Sequence, residues 1–247
     1  MRQHLYGRHA VRECLRARRR HIHRLLIARG VKPSPVVDEI RQRAQALGIP
    51  ITEVPRAKLD AVAGAHQGVV LEVGRLPTLH PADLLAVARR RDEMPFLLAL
   101  DHIEDPHNVG AILRTAEAVG VHGALLPDRR AAGITPAVVS ASAGAAEHLP
   151  VAVVPNLAAA LQTLQKEDLW VVGVEKSPAA QPYHQTDLNL PLALVVGSEG
   201  RGLSRRVRQV CDFLIALPMR GQVESLNASV AGALALYEAW RARQFQG

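Results

Sequence analysis

The chain carries two patterns of apolar spacing, and the place where one gives way to the other divides it. Over the first 74 residues short helical and extended patterns alternate. Ala10, Val11, Cys14 and Leu15 fall at helical spacing and predict a helix over Tyr6–Ala17. A strand is predicted over Ile22–Ala28, then a helix over Val36–Leu47 closed by Gly48, then short strands over Ile49–Glu53 and Val69–Val73. Together these make a small α/β module. Residues 75–94 contain Pro77 and Pro81, with Pro95 just beyond, and read as a linker carrying a short helix over Ala82–Arg90. From Pro95 onward the chain repeats an apolar strand, a loop and a helix. The strands are Phe96–Leu100, Ala124–Leu126, Val151–Val154, Trp170–Val174, Leu192–Val196 and Phe213–Leu217. Helices are expected over Val109–Val119, Leu157–Lys166, Ser204–Val210 and Ser229–Arg243. Apolar strands alternating with helices are the mark of a parallel sheet covered on both faces. No internal repeat or low-complexity tract interrupts the pattern.

Composition adds little to this division, but charge adds much. With 247 residues, 48% of them hydrophobic, the chain can build a core without covalent staples. Its two cysteines, Cys14 and Cys211, form no C-x-x-C pair and point to neither a disulfide framework nor a zinc site. No apolar run is long enough for a bilayer span and no secretory h-region follows the first basic residues, so a cytoplasmic protein is expected. The Arg-rich, acid-poor start could imitate an organellar transit peptide, but it lacks serine and runs straight into folded-looking sequence.

The formal net charge of +7 is unevenly spread. Residues 1–74 hold 14 Lys/Arg against 6 Asp/Glu, whereas residues 75–247 hold 16 against 17. A basic module neutralises phosphates and gives salt-sensitive nucleic-acid affinity, which makes residues 1–74 a candidate RNA-binding domain. The candidate surface is Arg8, Arg12, Arg16, Arg18, Arg19, Arg20 and Arg24. A solvated helix face that only aids solubility is the alternative. Aromatic residues make up 3% of the chain, too few for extensive base stacking.

In open α/β sheets ligands bind beyond the carboxyl ends of the strands, which directs attention to three loops. The first is Asp101-His-Ile-Glu-Asp-Pro-His-Asn-Val-Gly110, running into a helix that carries Arg114. Asn108 is a candidate helix cap there, and capping with a surface arginine is the plain reading. It leaves unexplained why so many polar residues follow an apolar strand. The second loop, Val196-Gly-Ser-Glu-Gly-Arg-Gly-Leu203, is spaced G-x-x-G-x-G, which is neither the dinucleotide fingerprint nor a P-loop. It could be a plain flexible turn. Glu199 would repel phosphate, so a cationic or hydrogen-bond-donating ligand suits it better. The third, Leu217-Pro-Met-Arg-Gly-Gln-Val-Glu-Ser-Leu-Asn-Ala-Ser-Val230, offers Ser225, Asn227 and Ser229 where one helix start needs one cap.

These stretches, in this order, closely resemble the three motifs of the SpoU-type (TrmH-like) RNA 2′-O-ribose methyltransferases of the SPOUT class. The matching residues are Asp105-Pro-His-Asn108 through Arg114-Thr-Ala, Gly197-Ser-Glu-Gly-Arg-Gly-Leu203, and Leu217-Pro-Met-Arg-Gly221 through Ser225-Leu-Asn227. The resemblance covers residues 95–247. Upstream, Tyr6-Gly-Arg-His-Ala-Val11 and His66-Gln-Gly-Val-Val70 look like the substrate-binding module of the RlmB-like branch. Leu217 and Ala228 depart from the commoner isoleucine and valine, both apolar changes.

The resemblance implies a trefoil-knotted, parallel-sheet catalytic domain at 95–247, preceded by a ribosomal-protein-like α/β substrate-binding domain. It implies S-adenosylmethionine held against Gly197, Leu217 and Leu226, no metal, and a homodimer with its active site near the interface. The catalytic set it implies is Asn108, Arg114, Glu199, Ser225 and Asn227, with Arg114 beside the attacked ribose hydroxyl. Arg114 could act as base with help from an RNA phosphate, or stay charged and stabilise the developing alkoxide. The implied substrate is a guanosine of large-subunit ribosomal RNA. Transfer RNA is an alternative substrate, and a non-catalytic RNA-binding ribosome-assembly factor is the alternative function. A nucleotide-dependent dehydrogenase would need the dinucleotide fingerprint, which is missing.

Overall fold

The computed structural model describes residues 2–246 and divides into two compact units. The first contains the chain up to Pro77 together with Ile134–His148, and the second contains Thr78–Gly133 and Leu149 onward.

In the first unit β1 (Gln3–Tyr6), β2 (Ile22–Ala28), β3 (Ile51–Val54) and β4 (Val69–Val73) form one sheet in the order β1-β4-β2-β3. β4 pairs antiparallel with both β1 and β2, and β3 lies parallel to β2. β4 is buried along its whole length, Glu72 included, in a run that is otherwise apolar. Helices α1 (Arg8–Ala17) and α2 (Pro35–Ala46) pack on each other, and α1 turns Ala10, Val11, Cys14 and Leu15 inward. Short α3 (Arg56–Asp60) precedes β4. The helix expected from Tyr6 instead begins at Arg8. Tyr6 ends β1, and Gly7, at φ 91°, makes a turn that a side chain would strain.

The returning segment 134–148 supplies α6 (Pro136–Ala141) and a 3₁₀ turn, Ala145–Glu147, which pack on β1 and α1. Gly144 makes that approach possible. A Cβ there would sit 2.6 Å from the Glu13 Cβ. The junction also buries an ion pair: Arg20 donates to the Glu147 Oε1 at 2.7 Å, with both side chains fully inaccessible. Burial pushes the Glu147 carboxyl above the ordinary carboxylate range, with Arg20 acting against it. Among the described residues its Oε2 has no partner, nor has the Arg20 Nε.

The second unit is built on a seven-stranded, all-parallel sheet in the order β7-β6-β5-β10-β8-β11-β9. Its strands are β5 (Phe96–Asp101), β6 (Gly123–Pro127), β7 (Val151–Val154), β8 (Trp170–Val174), β9 (Gln181–Pro182), β10 (Leu192–Gly197) and β11 (Phe213–Ala216). β5, β6 and β10 are buried throughout. The linker expectation for 75–94 needs correction, because α4 (Pro81–Arg91) packs Leu84 and Leu85 into the core of this unit. The remaining helices are α5 (Pro106–Ala118), α7 (Leu157–Gln165), α8 (Arg205–Val210) and α9 (Ala228–Ala242). Just past α9, the buried Arg243 donates to the carbonyls of Met94, Pro95 and Leu190, and its guanidinium lies over the Phe96 ring. With no carboxylate beside it, burial lowers its pKa to about 10.

Among the described residues no helix is long and apolar enough to cross a membrane, and no three metal-ligating side chains cluster.

Candidate active site

β5 and β10 are neighbours at the centre of the second sheet, and their carboxyl ends release the first two polar loops side by side. The last residue of β5, Asp101, is completely buried. It accepts a 2.6 Å hydrogen bond from the backbone N–H of Ser204 and shares a 2.5 Å bond with the His102 Nδ1. One buried carboxylate thus ties the start of the first loop to the end of the second. His102 sits at φ 57°, a left-handed conformation that this bond helps to hold. Asp101 and Ser204 did not stand out as site residues in the sequence. The available signal was a carboxylate closing the apolar strand FLLALD.

The second loop folds back on its own strand. Ser198 and Gly202 exchange backbone hydrogen bonds of 3.1 and 2.9 Å, which lays the loop over Gly197. A Cβ at Gly197 would lie 2.3 Å from the Gly202 carbonyl carbon and 2.6 Å from the Leu203 nitrogen, so a side chain there would displace backbone.

α5 is capped by Asp105, not Asn108. The Asp105 carboxylate accepts from the backbone N–H groups of His107 and Asn108, and Pro106 opens the helix. Relieved of capping, the Asn108 side chain faces the other loops. α9 is capped by Asn227, whose Oδ1 accepts from the backbone N–H and hydroxyl of Ser229. Its Nδ2 donates to the Asn108 Oδ1 at 2.9 Å and to the Glu199 Oε2 at 3.3 Å. The Asn108 Nδ2 lies 3.5 Å from the same Glu199 oxygen. Three residues from three loops, separated by up to 119 positions, therefore form one hydrogen-bonded triangle.

Asn108 and Glu199 also line a cavity of about 440 Å³, with Glu104, Arg130, Arg201 and Ser204 among the other walls. Three carboxylates on this cavity, those of Glu104, Asp105 and Glu199, favour a cation or a hydrogen-bond donor.

Two expected members of the set stay outside the triangle. Arg114 is exposed on α5, and Ser225 is exposed before α9; neither side chain makes a hydrogen bond or ion pair among the described residues. Leu217 and Leu226 are half-buried at the two ends of the third loop. Between Met219 and Leu226 no backbone N–H donates a hydrogen bond within the described residues, so this loop keeps its amides available to a ligand.

The expected amino-terminal RNA surface fares differently. Arg20 is interior, committed to Glu147, and cannot contact RNA, because withdrawing it would strand a buried carboxylate. Arg8 reaches the Gln67 and Lys32 carbonyls and the Ser34 hydroxyl. Arg12 pairs with Glu13, Arg16 with Glu13 and Glu39, and Arg24 with Glu72. Arg19 donates to the Glu147 carbonyl.

Comparison with known proteins places both modules of the chain in one family. Residues 95–237 match the model of the SpoU rRNA Methylase family, and residues 4–79 match that of the RNA 2′-O ribose methyltransferase substrate-binding module. YacO of Bacillus subtilis, named for the TrmH family of tRNA/rRNA methyltransferases, is 48% identical over 98% of this chain and 97% of its own. The SpoU methyltransferase AviRb from Streptomyces viridochromogenes, solved with AdoMet, matches with a TM-score of 0.81 at 25% identity, covering 98% of this chain and 91% of AviRb. The TrmH/SpoU tRNA modifying enzyme of A. aeolicus covers 66% of this chain and 85% of its own, with a TM-score of 0.55 at 27% identity. On the match of its two modules and its near full-length relatives, the chain belongs to the SpoU/TrmH family of RNA 2′-O-methyltransferases.

Proposed function

We propose that the protein transfers a methyl group from S-adenosylmethionine to a ribose 2′-oxygen of large-subunit ribosomal RNA, at a guanosine. The observation that carries the reading is the Asn108–Glu199–Asn227 triangle, which joins all three polar loops beside a carboxylate-lined cavity.

The residues fit the cofactor. Leu217 and Leu226 offer apolar flanks, the third loop offers free backbone amides, and the fold-back over Gly197 shapes the floor. S-adenosylmethionine supplies an electrophilic methyl group on a sulfonium. Glu199 favours that positive charge, and its position is held by the Asn108 and Asn227 amides. These residues bind and orient; none needs to form a covalent bond to substrate.

As the 2′-oxygen bonds to the methyl carbon and the methyl–sulfur bond breaks, the hydroxyl proton passes to a neighbouring RNA phosphate and on to water. Arg114 is the group for the charge that develops there, as a guanidinium that remains protonated and hydrogen-bonds the alkoxide. Its exposure in the single chain supports a homodimer in which it reaches the site near the interface. α5 packs on α9, and α9 presents Val230, Leu234 and Tyr237 as an exposed apolar stripe at helical spacing. In this reading the knotted loops of the family and the dimer together complete the centre. Ribosomal RNA is favoured over transfer RNA because the A. aeolicus tRNA enzyme matches about two-thirds of the chain, whereas the substrate-binding module occupies residues 4–79.

Arg114→Ala tests the assignment. Single-turnover methyl transfer to RNA should fall by about 10²–10³-fold, while calorimetry shows S-adenosylmethionine binding intact. Normal turnover with lost cofactor binding would remove Arg114 from this role.

A further inference from the structure

Arginines that no carboxylate claims occur in both units, Arg18, Arg29 and Arg56 among them in the first, but the catalytic unit gathers four of them around one cavity. A second cavity of about 390 Å³ opens beside the first and shares His102, Arg130 and Ser204 with it. Its walls include Arg129 and Arg130 from the loop after β6, and Arg205 and Arg206 from the start of α8. Four guanidinium groups face one carboxylate, that of Asp128. All four arginines are exposed, and none of their side chains makes a hydrogen bond or ion pair among the described residues. Asn156 adds a side-chain N–H₂, because its cap to α7 uses only the oxygen.

Folding gives these groups no partner, although several arginines in the first unit find carboxylates within a few ångströms. Four unpaired guanidiniums in one concave surface raise the local potential and suit a polyanion whose charges are spread along a line. On either side of the shared wall the linings differ: the first cavity adds the carboxylates of Glu104, Asp105 and Glu199 beside Arg201, and the second adds Arg129, Arg205 and Arg206. The first end favours a cation, the second a phosphate.

We infer that the Arg129–Arg130–Arg205–Arg206 cleft binds the phosphodiester backbone of the RNA strand flanking the methylated nucleotide, feeding that nucleotide into the cavity at Asn108 and Glu199. This inference rests on RNA being the substrate and places a principal electrostatic contact outside the substrate-binding module. Backbone phosphates are recognised without regard to base, so the cleft contributes affinity and register, not sequence choice.

The test uses the full-length protein and a mixed-sequence single-stranded RNA of about 20 nucleotides, titrated by fluorescence anisotropy without cofactor over a potassium chloride series. The double variants Arg129→Ala/Arg130→Ala and Arg205→Ala/Arg206→Ala should each lose about tenfold in affinity. Each should also flatten the log–log salt slope by about 1.4, since each single-strand phosphate contact contributes about 0.7. Both melting temperatures should match that of the unmodified protein, and Arg205→Ala/Arg206→Ala, whose residues line only the second cavity, should keep its S-adenosylmethionine affinity. Unchanged RNA affinity and slope in both variants would overturn the assignment. So would displacement of the RNA by low-millimolar inorganic phosphate at constant ionic strength, which would mark a small-anion site. If the unmodified protein failed to bind S-adenosylmethionine, the methyltransferase reading would fall while the RNA titration still decided on the cleft.

Discussion

The two units place their arginines differently. Through Gly74 the chain carries all of the excess positive charge, yet the structure commits much of it internally. Arg20 is buried against Glu147, while Arg12, Arg16 and Arg24 are paired with carboxylates. From Arg75 onward the chain is close to neutral in sum, yet it gathers four unpaired arginines into one cleft. Formal charge counts groups, whereas affinity for RNA depends on groups that no neighbour has already neutralised.

The comparison breaks most easily at Arg20. Arg20→Met should destabilise the protein by about 3–5 kcal/mol, because the Glu147 carboxylate stays buried without its partner. Chemical denaturation measures this, and Arg20→Met/Glu147→Leu should recover much of the loss. An unchanged denaturation midpoint in the single variant would return Arg20 to the surface and restore it as an RNA contact. The smaller effect belongs to the paired arginines. Arg12→Ala/Arg16→Ala should weaken binding of the same RNA by less than about twofold, since surface pairs with carboxylates have little charge left to offer. A loss equal to that of the cleft variants would erase the distinction between the units.

Much of the second unit was legible in the sequence. Its principal strands and helices follow from apolar runs of five or six residues closed by polar loops, and three of those loops meet at the Asn108–Glu199–Asn227 triangle. The exceptions have physical causes. Two-residue β9 carries too few positions to show a period. α6 reads as loop because its six residues draw their burial from β1 and α1, far earlier in the chain. Asn108 looked like a cap because caps are recognised by residue type; Asp105, three residues earlier and followed by proline, takes that role and frees the Asn108 amide. The fate of each arginine depended on which carboxylate lay beside it after folding. Arg20 and Glu147 are 127 positions apart, a pairing that no local pattern announces.

The central claim is that this site methylates ribose in RNA, and its most direct test is a transcriptome-wide map of 2′-O-methyl groups from cells with and without the gene. The account predicts that one ribose methyl, on a guanosine of large-subunit ribosomal RNA, disappears with the gene and returns when it is restored. An unchanged map across ribosomal and transfer RNA would contradict it.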